Sequence, residues 1–302
     1  MTIETDTPQV KIFERPSAGP NILILGRIHG NEPCGTEAIE RFISALDSGA
    51  EKINKGRVTF IPICNPKAAH ENKRFIDRNL NRSMKVRSSK EIESYEDTLA
   101  NFLCPYLEEC DVLLDIHSYQ VGGAPFIFIG SPTGEEFEYA KSLDIPYLVY
   151  GFGSSAQGTE KENLHSVGTT EYARAHNGAL ALTIECGQHL DPLASEVAYK
   201  AIEDTLRFFG VIGEQRRRAR SEGGEKVSTL LHIEKAYFKE KEGRFVTPLK
   251  NFQSVRQGEE LGRYSDGETV FAEKSAVLVL PRDGAEPGSE WFYYAVSEEI
   301  PD

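Results

Sequence analysis

His29-Gly30-Asn31-Glu32 sets an imidazole and a carboxylate three residues apart, directly after the apolar run Asn21-Ile22-Leu23-Ile24-Leu25. A second run, Asp111-Val112-Leu113-Leu114-Asp115-Ile116, delivers His117 to the same place relative to its own segment. His29, Glu32 and His117 make up the nitrogen and oxygen donor set that a catalytic zinc takes from a protein, leaving a fourth position for water. A lone His-x-x-Glu occurs often by chance. A second histidine ending a second apolar run raises its weight, the alternative being two satisfied surface histidines. Convergence requires the backbone to turn helically just past the first run, and Gly30 and Gly35 permit that turn.

Two further groups belong beside such a centre. Glu185 closes the apolar run Leu180-Ala181-Leu182-Thr183-Ile184, and the carboxyl ends of buried parallel strands are where α/β sheets bind ligands. A carboxylate there could take a proton from water and return it to a leaving amine; taken alone, it fits a strand end or a helix cap equally well. The segment Lys73-Arg74-Phe75-Ile76-Asp77-Arg78-Asn79-Leu80-Asn81-Arg82 holds three arginines and two asparagines in an acidic chain. Guanidinium forks match carboxylates bidentately, so this stretch could hold an anion, or be a solvated charged loop. His70, His165, His176, His189 and His232 lack partners at metal spacing and read as structural or surface histidines. Ser118 has no nucleophile-elbow context, and Gly151-Phe152-Gly153-Ser154-Ser155 follows no phosphate-loop pattern.

The elements that must position these groups alternate up to about residue 210. Strands are expected at 22–25, 58–63, 112–116, 126–129, 147–149 and 180–184. Helices are expected at 36–46, along the face Ile92, Tyr95, Leu99, Phe102 and Tyr106, and through Val197, Ile202, Leu206 and Phe209. A polar stretch covers 65–90; loops that long are usually functional or disordered. Continuous apolar strands alternating with helices specify an α/β fold with a largely parallel sheet covered on both faces. Residues 213–226 read as a charged linker. Short strands around 230–238, 269–272, 276–280 and 291–296, with an Asp266-Gly267 turn, then suggest a small all-β domain. The expected division is 1–212, 213–226 and 227–302.

Composition narrows the function classes. A net charge of −13 over 302 residues disfavours nucleic acid and anionic membrane surfaces as partners, while leaving room for a small anionic substrate in a locally basic pocket. No apolar run approaches the roughly 18 residues of a membrane span, and the first residues lack a basic, then apolar, leader. A cytoplasmic protein is expected. The five scattered cysteines have no Cys-x-x-Cys spacing, so buried reduced thiols are expected rather than disulfides or a thiolate cluster.

Together, His29-Gly30-Asn31-Glu32, Asn65-Pro66, Arg74-Phe75-Ile76-Asp77, Leu80-Asn81-Arg82, Asp115-Ile116-His117-Ser118 and Ile184-Glu185-Cys186-Gly187 resemble the succinylglutamate desuccinylase/aspartoacylase family, a branch of the zinc carboxypeptidase superfamily. The ordered set spans residues 20–190, and the C-terminal segment is similar to the family's β domain. The resemblance implies a zinc-carboxypeptidase-like mixed, largely parallel sheet flanked by helices, with a small C-terminal all-β domain. It implies one Zn2+ per chain on His29, Glu32 and His117, with Glu185 as general base. Arg74 would polarise the scissile carbonyl, and Asn81 and Arg82 would clamp the substrate carboxylate. The implied reaction is hydrolysis of the amide of a small N-acyl amino acid, with access narrowed by the β domain. One departure stands out: relatives commonly place Asp where this chain has Asn79, which removes a charge behind a metal-bound histidine. Asp77 and Asp115 are the candidates to compensate, and Arg174, Tyr172 and Tyr293 are candidates for further substrate contacts. Two other readings stay open, a metallocarboxypeptidase acting on peptides and a silent metal-binding protein of the same fold; a homo-oligomer is compatible with either.

Overall fold

The computed structural model describes residues 6–152, 167–213 and 229–301. The first of these hold β1 (Lys11–Glu14), β2 (Asn21–Gly26), α1 (Cys34–Asp47), β3 (Arg57–Ile61), α2 (Pro66–His70), α3 (Tyr95–Glu109), β4 (Val112–Tyr119), β5 (Phe126–Phe128), α4 (Glu135–Ser142) and β6 (Tyr147–Tyr150). Next come α5 (Thr169–Asn177), β7 (Leu180–Gln188) and α6 (Pro192–Phe208). The C-terminal part holds β8 (Thr229–Phe238), β9 (Gly243–Phe245), β10 (Ser254–Val255), β11 (Glu260–Tyr264), β12 (Thr269–Phe271), β13 (Ala276–Val279) and β14 (Glu290–Glu298).

The fold is the mixed α/β class expected from the sequence. Eleven strands form one sheet in the order β1-β3-β2-β4-β7-β5-β6-β8-β14-β13-β10. Strands β3, β2, β4 and β7 are parallel neighbours, β5 runs antiparallel to β7, and β5, β6 and β8 are parallel again. Side chains alternate across the sheet, so each central strand feeds two cores. Ile22 and Ile24 pack with Ile39 and Phe42 of α1 and Ile202 and Leu206 of α6. Leu23 and Leu25 face the other way, against Leu99, Leu103 and Leu107 of α3 and Ala173 of α5. Burial on both faces explains why β2, β4 and β7 read as nearly continuous apolar runs.

Strand β3 stops at Ile61, two residues before its expected end, because Pro62 has no N–H to offer a ladder. Helix α2, which falls within the stretch 65–90 read as a loop, helices α4 and α5, and strands β1, β9, β10 and β11 were not expected. All are short, and α4 and α5 carry too many charged and polar residues for a clear apolar stripe. Beyond residue 229 the chain is all β. Strands β8, β14, β13 and β10 prolong the main sheet through the parallel β6–β8 pair, and β12-β11-β9 make a second sheet. Trp291, stacked on Phe245 at 4.9 Å between ring centroids, anchors the core between them. The expected linker, apart from Gly213, lies outside the described residues, as do His165 and Gly153-Ser154-Ser155.

Candidate active site

Parallel pairing places Leu25 beside Asp115 and His117 beside Glu185, so the carboxyl ends of β2, β4 and β7 open onto one point. Past β2 the chain makes the turn that the His-x-x-Glu spacing requires, with Glu32 N–H donating to His29 O at 3.2 Å. Gly30 is obligatory there: a Cβ would lie 2.1 Å from the Ala68 carbonyl carbon of α2. His29 Nδ1 and His117 Nδ1 approach to 3.1 Å, and Glu32 offers one oxygen to each at 2.9 Å. All three side chains are buried, and among the described residues they form the one group of His, Cys, Asp or Glu able to hold a metal.

The donor chemistry fits a cation. His29 Nε2 lies 3.0 Å from Asn79 Oδ1; the tautomer that donates there leaves Nδ1 bare for coordination. Behind His117, Asp115 Oδ2 lies 3.0 Å from Nε2 and also accepts from Thr169 Oγ1. The electrostatics keep Glu32 ionised and set the two imidazoles apart. Burial opposes ionisation of Glu32, yet His29 and His117 hold it well below the usual carboxylate range. Burial, with Arg74 adding to it, pushes His29 down to about 4. His117, although desolvated, is held well above its usual value by Asp115 and Glu32. Asn79 stands behind His29, as an uncharged partner. Asp115 supplies a charge, but to the other imidazole, and Asp77 accepts from Tyr95 N–H at 2.8 Å instead.

Glu185 reaches the same centre from β7. It is buried, and its Oε2 has no hydrogen-bond partner among the described residues. Burial first, and the Glu32 charge second, raise it to about 8. A carboxylate with a spare buried lone pair at such a centre is equipped to take up a proton.

The basic loop forms the facing wall. Arg74 Nη1 donates to Glu32 Oε1 at 2.9 Å, tying the loop to the cluster. Asn81 and Arg82 sit on a 3-10 turn, residues Leu80–Arg82, which Asn79 caps by accepting from Asn81 N–H at 3.0 Å. Thr169 N–H donates to Asn81 Oδ1 at 3.0 Å, which commits the oxygen and leaves the amide nitrogen as the group to offer. The Arg82 guanidinium lies 5.1 Å from the Phe152 ring centroid.

These groups line one cavity of about 970 Å³ that His29, Arg74, Asn79, Asn81, Arg82, His117 and Glu185 share. Tyr293 and Glu290 of β14, with Arg282 from the connection before it, add a further wall. Two candidate contacts fare differently. Arg174 touches the cavity, but its fork is committed to Glu136 at 2.8 and 3.1 Å. Tyr172 belongs to the core behind the sheet and donates to Glu108 at 2.6 Å. His189, read as structural from the sequence, lines the cavity and pairs through Nδ1 with Ser118 Oγ at 2.8 Å. Thr169, Arg282 and Glu290 carry no motif that would have singled them out. His70 and His176 are exposed, and His232 stacks on Tyr150 at 4.5 Å.

A His-Glu-His group able to hold a metal and a buried carboxylate thus lie together near the strand ends of a mixed α/β sheet. The chain belongs to the succinylglutamate desuccinylase/aspartoacylase family, whose catalytic-domain model matches residues 18–208. The succinylglutamate desuccinylase of Vibrio cholerae is 23% identical over 274 residues, which cover 88% of this chain and 77% of that protein. Among solved structures, a succinylglutamate desuccinylase/aspartoacylase from Rhodobacter sphaeroides aligns with a TM-score of 0.75 at 18% identity, covering 96% of this chain and 88% of that one. A product-bound ectoine utilization protein from Ruegeria pomeroyi aligns with a TM-score of 0.72 at 20% identity, covering 95% and 88%. Among the described residues no helix is long and apolar enough to cross a membrane, and the five cysteines are free and buried.

Proposed function

We propose that this chain is a zinc-dependent amidohydrolase that cleaves the amide bond of a small N-acyl amino acid in the cytoplasm. The observation that carries the reading is the meeting of His29, Glu32, His117 and Glu185 at one buried point beside an arginine loop, inside a chain of this family. His29, Glu32 and His117 would hold the ion, through the two Nδ1 atoms and the Glu32 carboxylate. Bound there, zinc would supply Lewis acidity to water and to the scissile carbonyl.

The chain's own groups do the rest. Glu185 takes the proton of the attacking water on its unpaired Oε2 and passes it to the departing amine. Arg74 donates to the carbonyl oxygen as negative charge develops there, a role for which one donor is typically worth roughly 3–4 kcal/mol. The Asn81 amide and the Arg82 fork hold the carboxylate of the amino-acid part, fixing which bond faces Glu185. The wall of Arg282, Glu290 and Tyr293 bounds the cavity on the C-terminal side and favours a compact substrate over a peptide. The sequence division at 213–226 is proposed as the boundary between the catalytic unit and this wall.

A panel of N-succinyl, N-acetyl and N-formyl amino acids, offered to zinc-loaded protein beside short peptides, tests the reading. Turnover of at least one N-acyl amino acid well above the peptides is expected. Turnover confined to peptides would make the chain a carboxypeptidase, and zinc binding without turnover of either would make it a silent member of the fold.

A further inference from the structure

The wall that carries Arg74, Asn79, Asn81 and Arg82 has almost no regular structure, and its backbone is held by a residue outside the cavity. Glu96, in the first turn of α3, is fully buried. Its Oε1 accepts from Ile76 N–H at 2.8 Å and from Asn65 Nδ2 at 3.0 Å. Its Oε2 accepts from Asp77 N–H at 3.0 Å and Arg78 N–H at 3.3 Å. Four donors thus converge on one carboxylate, and three of them are consecutive backbone amides.

Those three amides lie between Arg74, which reaches Glu32, and Asn79, which reaches His29. The fourth donor extends the hold. Asn65 uses its Oδ1 to accept from Ala68 N–H at 3.3 Å at the start of α2, and Ala68 O accepts from Lys73 N–H at 2.9 Å. Gly30 packs on that same helix, and its N–H donates to Arg74 O at 3.2 Å. The return tie comes from Asp77, whose carboxylate accepts from Tyr95 N–H. Loop and helix therefore satisfy each other's backbone amides, and charged acceptors make the stronger kind of hydrogen bond.

We propose that Glu96 is a positioning residue for the reaction, a buried template that bends residues 76–78 so that Arg74 faces the scissile carbonyl while Asn79 faces His29. It touches neither substrate nor ligand cluster. This inference rests on the proposed hydrolase function for its kinetic part and on geometry alone for its hold on the loop. Glu96→Gln replaces one acceptor with an NH2 group that meets backbone N–H donors head on. Glu96→Asp keeps both acceptors but withdraws them by one methylene. Thr205→Val, which removes the buried Tyr139–Thr205 hydroxyl pair away from the cavity, serves as a comparison for lost stability without lost positioning.

The experiment pairs hydrogen exchange of the 74–82 segment with kinetics on the best N-acyl amino acid. In Glu96→Gln, faster exchange confined to that segment and a kcat/KM lower by about 100-fold, with kcat reduced and KM raised, are expected. Thr205→Val should lower the melting temperature while leaving kcat and KM at wild-type values. If Glu96→Gln folds with the segment protected and kinetics unchanged, the proposal is overturned. If Glu96→Gln does not fold, Glu96→Asp is judged by the same two readouts, and failure of both to fold makes Glu96 a general core residue and overturns it too. Should the wild type cleave no N-acyl amino acid, the functional reading fails while the exchange data still decide whether Glu96 holds the loop.

Discussion

The cavity has two unlike walls. One is built at the ends of β2, β4 and β7, where His117 and Glu185 inherit their positions from a sheet buried between two cores and His29 sits on the tight turn just past β2. The other is the 74–82 loop, where Arg74 is tied to Glu32, Asn81 to Thr169, and the backbone of residues 76–78 to Glu96. Strand-borne groups are held by many cooperative ladder bonds and by packing, so exchanging one side chain changes chemistry and little else. Loop-borne groups are held by a few buried hydrogen bonds, so removing one partner moves a backbone.

That contrast can be broken or sharpened by substitution. The largest effect is expected from Glu185→Gln, a fall in kcat of about a thousandfold with zinc content and melting temperature retained. Wild-type turnover in that variant would remove Glu185 from proton transfer and with it the division of labour between the walls. Next comes Asp115→Asn, which weakens the support behind His117. Zinc affinity, measured by chelator competition, should drop roughly 10- to 100-fold, and an unchanged affinity would show that strand packing alone orients the imidazole. The smallest effect is expected from Arg82→Ala, roughly a tenfold rise in KM for carboxylate substrates with kcat nearly kept. A collapse in kcat instead would mean that the loop cannot lose even one peripheral guanidinium without moving Arg74.

The same contrast explains what the sequence revealed. Strands β2, β4 and β7 were legible because burial on both faces writes a nearly continuous apolar run, and His29, His117 and Glu185, at or just past the ends of those runs, followed from position. The basic loop was legible as composition: three arginines in an acidic chain. How it is held was not, since Glu96 and Thr169 act across sequence gaps of about 20 and 88 residues and carry no motif of their own. His189 looked unpartnered because its partner, Ser118, lies 71 residues away on the neighbouring strand. Tyr172 failed as a substrate contact for the opposite reason. Its side chain falls on the helix face that packs against α3, where an aromatic ring serves the core.

The parallel pairing of β6 with β8 has one more consequence. Glu185 on β7 and Tyr293 on β14 thereby share a single pleated slab, so these two flanks of the chamber cannot part without tearing a ladder.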